Sequence, residues 1–549
     1  MADPSGIGQQ SITMCSCPKT TSIFSSSCCK VLIKGEDMPL KGTHNQLLDD
    51  RACYAAMLAH DSRFDGRFFC GVSSTGIYCR PICRVKPPKE ENCSFFISAA
   101  AAEAAGYRPC LRCRPELAPG LAPMDSVTRL ARIAALIMEE DLLTDRNIPE
   151  LAVMLGITDR HLRRVFSAEY GVSPVQYLQT RRLLLAKNLL TDTQLSVTDV
   201  AMTAGFGSIR RFNDLFKKRY RLTPGRFRNK DKGLAKDIDG ITLFLEYRPP
   251  YAWNELLSFL EARAIPGVES IAQDTYRRTV AVKKGETVHY GWISVANMPR
   301  RNALSVTVAP TLLPVLPQVL ARTRHLFDVD CNPSNVYEKL VTMNRLAPDM
   351  CVPGIRLPGC FDPFEISVRA VLGQQITVKA ARTLATRLAQ VLGREMETPF
   401  AELALTFPLP DEIRALKAPI EDRLGPLGIT GARARSIHAL AEALRTGSIA
   451  LSPHADPGRE MERLLKLPGF GPWTVHYIAM RALAWPDVFP HTDHGLKKAL
   501  AGMSPEEMQT LAKTWSPWRS YATITLWNFL KKGPKDQKGV DKHDLHLHG

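Results

Sequence analysis

The residues best placed to do chemistry are four cysteines in two close pairs, Cys79 with Cys83 and Cys110 with Cys113. Two such pairs separated by a longer loop supply what one tetrahedral Zn²⁺ requires. Each short spacing lets a turn of backbone bring two sulfurs to about 2.3 Å from a shared metal. Arg80, Arg84, Arg108, Arg112 and Arg114 crowd them in the sequence, a setting that favours phosphate contact. A purely structural zinc knuckle accounts for the same spacing, so spacing alone leaves both readings open. A second constellation lies toward the C-terminus, in Leu467-Pro468-Gly469-Phe470-Gly471-Pro472-Trp473, with Asp493 about twenty residues on, flanked by His491 and His494. Two glycines between helical stretches predict a hairpin whose backbone N–H groups cradle a phosphate at a helix N-terminus. A plain helix turn, and a plain helix cap at Asp493, are the bland readings.

The wording around the cysteines goes further than their spacing. Phe64-Asp65-Gly66-Arg67-Phe68, Thr75-Gly76-Ile77-Tyr78-Cys79-Arg80-Pro81-Ile82-Cys83 and Gly106-Tyr107-Arg108-Pro109-Cys110-Leu111-Arg112-Cys113 resemble the N-terminal domain of the Ada family over residues 50–116. The resemblance implies one Zn²⁺ on Cys79, Cys83, Cys110 and Cys113, with Cys79 taking a methyl group irreversibly from a DNA methylphosphotriester. Metal coordination keeps sulfur as thiolate at neutral pH. Four thiolates leave the centre doubly negative and a methylated one leaves it singly negative. Methylation is therefore expected to lower repulsion from the DNA backbone and tighten binding.

Around these sites the pattern turns helical after the Pro-rich stretch Pro115 to Pro123. Leu151-Ala152 to Gly156 and on to Phe166 is echoed by Val200-Ala201 to Gly205-Phe206, Phe212 and Phe216, an internal duplication. Each copy predicts a helix-turn-helix. The pair resembles the AraC-family DNA-binding region over about residues 125–230, with Arg221 where the family commonly has a turn glycine and Gly171 kept in the first copy. Arg210, Arg211, Lys217, Lys218, Arg219, Arg221, Arg226, Arg228 and Lys230 oppose a single Asp214, which favours a polyanion. The expected base readers are Asp159, Arg160, His161 and Arg163 in the first copy and Ser208, Ile209, Arg210 and Arg211 in the second.

The hairpin, together with Pro249-Pro-Tyr251, Arg356-Leu-Pro-Gly359, Val371-Leu-Gly-Gln374 and Pro517-Trp-Arg-Ser-Tyr521, resembles the helix-hairpin-helix DNA glycosylases, nearest their alkylated-base branch, over residues 241–530. That resemblance implies a catalytic Asp493, an aromatic base pocket of Trp473, Tyr477 and Trp527, and DNA contact at Gly469, Gly471 and Gln375. It also implies a monovalent cation on the carbonyls of Leu465, Leu467 and Phe470. Gln375 replaces a wedge leucine and Asn528 replaces a pocket tyrosine, so lesion search and preference are expected to differ. Trp473 stands where lyase-active relatives carry a nucleophilic lysine. Without that amine no Schiff base forms, and simple base excision without strand cleavage is expected.

Length and composition agree with several domains. The chain has 549 residues, 45% hydrophobic, a net charge of +16 and a pI near 9.3; such a balance points to nucleic acid. Fourteen cysteines whose best-spaced four suit a metal favour a reducing, cytoplasmic compartment. No secretory signal or long apolar run is present. The expected organisation has seven parts: a disordered leader over 1–45 (or a start at Met38), a small α+β zinc domain over 46–118, and an all-α double helix-turn-helix domain over 124–230; then a linker over 231–240, an α+β domain over 241–352, an all-α helix-hairpin-helix domain over 353–532 and a disordered tail. No Pro-Cys-His-Arg motif occurs, so a guanine-O6 methyltransferase half is not expected. The combined reading is a methylation sensor, a transcription activator with RNA polymerase as partner, and an alkylbase glycosylase on double-stranded DNA. Two rivals are a pure regulator whose C-terminal half only binds DNA, and an enzyme merely targeted by a structural zinc domain.

Overall fold

The computed structural model describes residues 49–120, 129–140, 147–227, 240–417 and 419–531. The leader cysteines Cys15, Cys17, Cys28 and Cys29, most of the 231–240 linker and the histidine-bearing tail lie outside the described residues. The first sheet holds β1 (Phe69–Val72), β2 (Ile77–Cys79), β3 (Cys93–Phe96) and β4 (Arg108–Pro109) in the order β3-β1-β2-β4. β2 ends on Cys79 and runs parallel to β4 with Tyr78 opposite Pro109, so the register itself carries Cys79 toward Cys110. Helices α1 (Asp50–Leu58) and α2 (Ala99–Ala104) flank the sheet, each capped by a side chain, Asp49 and Ser98. Cys53 and Cys70 are buried among apolar neighbours, as small core residues.

Helix α3 (Arg129–Glu140) leads into the duplicated units: α4 (Ile148–Met154) with α5 (Asp159–Tyr170), then α7 (Val197–Thr203) with α8 (Ile209–Tyr220). The long α6 (Pro174–Asp192) joins them and α9 (Pro224–Phe227) closes the domain. Asn147, Thr158, Ser196 and Ser208 cap the four unit helices, each satisfying an otherwise orphaned N–H. The one local departure between the copies falls where the sequence puts it. α5 ends on Gly171 at φ +71°, whereas α8 ends on Arg221 at φ +57°. A side chain in that left-handed position costs about 1–2 kcal/mol.

A second sheet follows, with β5 (Ile241–Glu246), β6 (Glu269–Ala272), β7 (Thr275–Lys284), β8 (Thr287–Met298) and β9 (Ala303–Val308) in the order β5-β9-β8-β7-β6, all neighbours antiparallel. β7 and β8 form one long hairpin, β7 pairing with β8 along its whole length. α10 (Trp253–Glu261) packs on the sheet. The rest is helical: α11 (Leu316–Leu326), α12 (Pro333–Leu340), α13 (Pro363–Leu372), α14 (Val378–Leu392), α15 (Pro410–Arg414), α16 (Ile420–Leu424) and α17 (Gly431–Arg445). After them come α18 (Pro457–Leu465), α19 (Pro472–Arg481), α20 (His494–Ala499), α21 (Pro505–Lys513) and α22 (Arg519–Lys531). Sheet and helices share one apolar core. Inside it Arg278 meets Glu365 at 2.5 Å and Arg369 meets Glu269 at 2.8 Å, ion pairs that fasten the sheet to α13.

Charged groups also join the zinc domain to its neighbours, and here the arginine expectation needs correcting. Arg114 turns inward onto Asp192 of α6 at 2.7 Å, and Arg80 is buried against Asp65 and Glu246. Neither faces solvent to meet a phosphate; Arg84 and Arg112 are the exposed ones. Arg219 likewise leaves the basic face of α8 for the buried Glu103, at 3.2 Å. Glu103 also accepts from Tyr78 and Thr180, and burial pushes its carboxyl up to about 7. Among the described residues no helix is long and apolar enough to cross a membrane.

Replacing Arg221 with glycine should remove the left-handed strain at the end of α8. The exchange-protected population of α8 amides is expected to rise by about fivefold, for about 1 kcal/mol, read by hydrogen exchange. Unchanged or weaker protection would show that the Arg221 conformation costs nothing.

Candidate functional site

The four cysteine sulfurs lie within 4.8 Å of one another. Four Zn–S bonds of about 2.3 Å would set tetrahedral sulfurs about 3.8 Å apart, so the cluster fits one Zn²⁺, and a soft thiolate set suits that metal. Cys79, Cys83 and Cys110 are buried, whereas Cys113 is half-buried. The Arg80 backbone N–H donates to Cys113 Sγ at 3.3 Å. Exposure alone therefore does not single out Cys79.

The second constellation is brought together by α19, α20 and α22. Asp493 caps α20, Oδ1 accepting the Leu496 N–H at 2.9 Å. The same carboxylate accepts two indole N–H groups, Trp473 on Oδ2 at 2.8 Å and Trp527 on Oδ1 at 2.9 Å. The helix cap and the two indole contacts thus fall on one side chain. Trp473 stacks on Tyr477 with centroids 5.5 Å apart and planes 18° apart, and Tyr477 lies 6.2 Å from Trp527. Asp493, Trp473 and Trp527 are partly exposed, so this aromatic cluster opens outward. No hydrogen bond joins His491 or His494 to Asp493 among the described residues.

The hairpin abuts this cluster. Gly469 sits at φ +78°, and a Cβ there would lie 2.2 Å from Ser436 Oγ. Gly469 and Gly471 are exposed and Phe470 is buried. The carbonyls of Leu465, Leu467 and Phe470 lie at the end of α18 and in the hairpin, that of Leu467 accepting the Phe470 N–H at 3.2 Å. Gln375, exposed at φ +55°, tips the loop between α13 and α14.

Sequence reasoning missed four supporting residues. Gln374 donates to Gly469 O at 2.8 Å and Thr474 Oγ1 at 2.9 Å, tying the Gln375 loop to the hairpin; it stands in the quoted Val371–Gln374 motif, which was the available signal. Gly495 is required because a Cβ would sit 2.9 Å from Asp493 Oδ1. Arg481, buried, donates to Tyr477 Oη at 2.8 Å. Burial pushes the Tyr477 phenol up, but the Arg481, Arg263 and Arg369 guanidiniums outweigh it, leaving the phenol below its ordinary value. His325 bonds the Arg481 carbonyl at 2.9 Å. Nothing in the sequence marked these last two. Asn528 is buried with neither amide atom bonded among the described residues.

On the helix-turn-helix units the expected base readers separate. Asp159 and Arg163 pair with each other at 2.8 Å. Arg160 is exposed and His161 half-buried, with Arg164 against its ring at 3.2 Å. Ser208 is occupied as a cap, while Ile209, Arg210 and Arg211 stand exposed at the start of α8.

Comparison with known proteins follows the same division. The metal binding domain of Ada matches residues 52–116, a helix-turn-helix domain matches 151–230 and the AlkA N-terminal domain matches 242–362. The chain is 36% identical over 501 residues to a Mycobacterium tuberculosis protein described as a probable bifunctional transcriptional activator/DNA repair enzyme AlkA, covering 88% of this chain and 97% of that one. It is 36% identical over 283 residues to DNA-3-methyladenine glycosylase 2 of Escherichia coli, covering 52% of this chain and 95% of that one. It is 32% identical over 181 residues to the bifunctional transcriptional activator/DNA repair enzyme AdaA of Bacillus subtilis, covering 33% and 82%.

Burial pushes the His325 imidazole down to about 4. An unfolded imidazole titrates near 6.5, so the folded state binds fewer protons between these values. His325 thus contributes stability that is complete above pH 6.5 and is lost as pH falls toward 4, by about 2–3 kcal/mol. Urea midpoints across that range should fall for the native protein and fall less for His325→Gln. Parallel pH profiles would rule out this group as the source.

Proposed function

The chain belongs to the family of bifunctional transcriptional activator/DNA repair enzymes that join Ada-type and AlkA-type parts, and from that premise we propose two linked activities on DNA. The first is stoichiometric methyl acceptance by Cys79. Bound Zn²⁺ on Cys79, Cys83, Cys110 and Cys113 would keep their sulfurs as thiolates at neutral pH. The Cys79 sulfur attacks the methyl carbon of a methylphosphotriester; the S–C bond forms as the C–O bond breaks, and the phosphodiester leaves as an anion. Cys113 is the weaker candidate because its sulfur already accepts the Arg80 N–H. The product sulfur is neutral, so repulsion from neighbouring phosphates falls. The exposed Arg210 and Arg211, with Arg160 and His161, then read a promoter, and RNA polymerase is the partner of the activated complex.

The second activity is excision of alkylated purines such as 3-methyladenine. The observation that carries it is the Asp493 carboxylate held by the Trp473 and Trp527 indoles beside the hairpin. Hairpin N–H groups around Gly469 and Gly471 hold the backbone, the Leu465, Leu467 and Phe470 carbonyls would hold a monovalent cation, and Gln375 fills the space left by the flipped nucleotide. A cationic purine is a good leaving group and is attracted by aromatic faces. Asp493 stabilises the sugar cation and orients the water that attacks it. With Trp473 in place of an amine, the product is an abasic site and not a cut strand.

Asp493→Asn retains a capping oxygen and removes the charge. Single-turnover excision of 3-methyladenine should fall by about 10²–10³ while lesion binding persists; native rates would remove Asp493 from the reaction, and nicking without alkali would contradict the simple hydrolysis. For the first activity, intact-mass and peptide mapping after exposure to methylphosphotriester DNA should place one methyl group on Cys79. Methyl on Cys83, or on none of the four, would sink that assignment.

A further inference from the structure

Arg80 follows Cys79 directly, and its guanidinium is buried to 1% exposure where the two halves of the chain meet. Nε donates to Asp65 Oδ1 at 2.8 Å, Nη2 to Asp65 Oδ2, and Nη1 to the Cys113 carbonyl at 3.0 Å. The other carboxylate comes from far along the chain: Glu246 Oε2, at the end of β5, lies 2.6 Å from Nη1. Two residues further, Arg248 clasps the back of Asp65, with Nε on the Asp65 carbonyl at 3.0 Å. Its Nη2 and Nη1 reach the carbonyls of Gly120 at 2.7 Å and Asp330 at 2.9 Å. Arg80 therefore fixes the peptide after one cluster sulfur and, through its own N–H and Nη1, both the sulfur and the carbonyl of Cys113. Its own side chain is fixed in part by the segment that begins the glycosylase half.

We infer that Glu246 is a positioning residue of the methyl-acceptor centre, holding Arg80 and through it the Cys79–Cys113 geometry. This rests on the acceptor reading of Cys79. Asp65 takes up the Nε and Nη2 edge of the guanidinium, so without the Glu246 carboxylate only Nη1 loses a charged partner. Nη1 is also the atom that reaches the Cys113 carbonyl. Loss of Glu246 thus slackens the grip on the cysteine loop while leaving the arginine paired and the domain folded. Displacement at methyl carbon is in line and sensitive to placement, about 10²-fold for a misplacement of 1 Å. Arg80 follows Cys79 directly and its guanidinium meets Glu246 at the end of β5, so a change of charge on the Cys79 sulfur should be felt at β5 through the same contacts.

The experiment uses the full zinc-loaded chain and a methylphosphotriester duplex, with methyl transfer followed by intact mass. Glu246→Gln should transfer roughly tenfold more slowly, and Glu246→Asp should recover part of the rate. Zinc content should be unchanged and 3-methyladenine excision should stay within about twofold. A native transfer rate in Glu246→Gln overturns the inference. Should that variant lose zinc or excision, hydrogen exchange over residues 241–246 of the native protein decides instead. Altered protection after methylation supports the link, and identical protection overturns it. A native chain that accepts no methyl at Cys79 defeats the acceptor reading and this inference together. Normal native transfer beside an unaffected Glu246→Gln defeats the inference alone.

Discussion

A guanidinium taken out of water must find acceptors for a rigid fork of five N–H donors, and much of this structure is arranged around that demand. Arg80, Arg248 and Arg356 are each about 1% exposed. Arg356 donates to the Arg248 carbonyl at 2.6 Å and the Pro250 carbonyl at 2.9 Å, Arg248 to the Asp65 carbonyl, and Arg80 to the Asp65 and Glu246 carboxylates. Arg356 and Arg248 each donate to backbone that the next arginine orders, although Arg356 Nε has no partner among the described residues. Stranding a buried charge by removing its partner costs about 3–5 kcal/mol. The zinc domain and the second sheet are therefore held in one register by groups that separation would leave unpaired.

The same reasoning bears on how a modified sulfur could be felt elsewhere. Cys79 has Tyr78 before it and Arg80 after it, and the two side chains go to different neighbours. The Tyr78 hydroxyl donates to Glu103 at 3.2 Å, and Glu103 pairs with Arg219 on the second recognition helix. Arg80 goes to Glu246. The residues on either side of Cys79 thus reach α8 through one intermediate, Glu103, and β5 directly. A flexible tether would transmit nothing of the kind, because it has no paired arrangement to disturb.

Legibility in the sequence followed the range of the interaction. The cysteine pairs were readable because each is closed within one turn of backbone, and β2 and β4 needed only to lie side by side. The helix-turn-helix pair was readable because it is repeated, and even the Arg221 departure could be located before its φ of +57° was known. Arg80 and Arg114 were misread because sequence proximity reports charge and not direction. Their partners Asp65, Glu246 and Asp192 are supplied by the fold. His325 escaped notice for the same reason, meeting the Arg481 carbonyl only where the fold brings α11 to α19, and Arg481 reaches the Gly359 carbonyl across the fold at 2.8 Å.

Asp493 shows why a helix cap and the carboxylate proposed for base excision need not be alternatives. Three donors hold it, the Leu496 amide and the Trp473 and Trp527 indoles. All three are neutral, and Asp493 enters no ion pair among the described residues. Neutral donors fix the direction of a carboxylate without cancelling its charge, whereas an arginine or lysine would fix it and neutralise it together. What remains is a rigidly aimed negative charge at the mouth of an aromatic stack. An electrostatic catalyst must present that to a cation developing on a sugar, since stabilisation comes from charge already in place when the bond breaks.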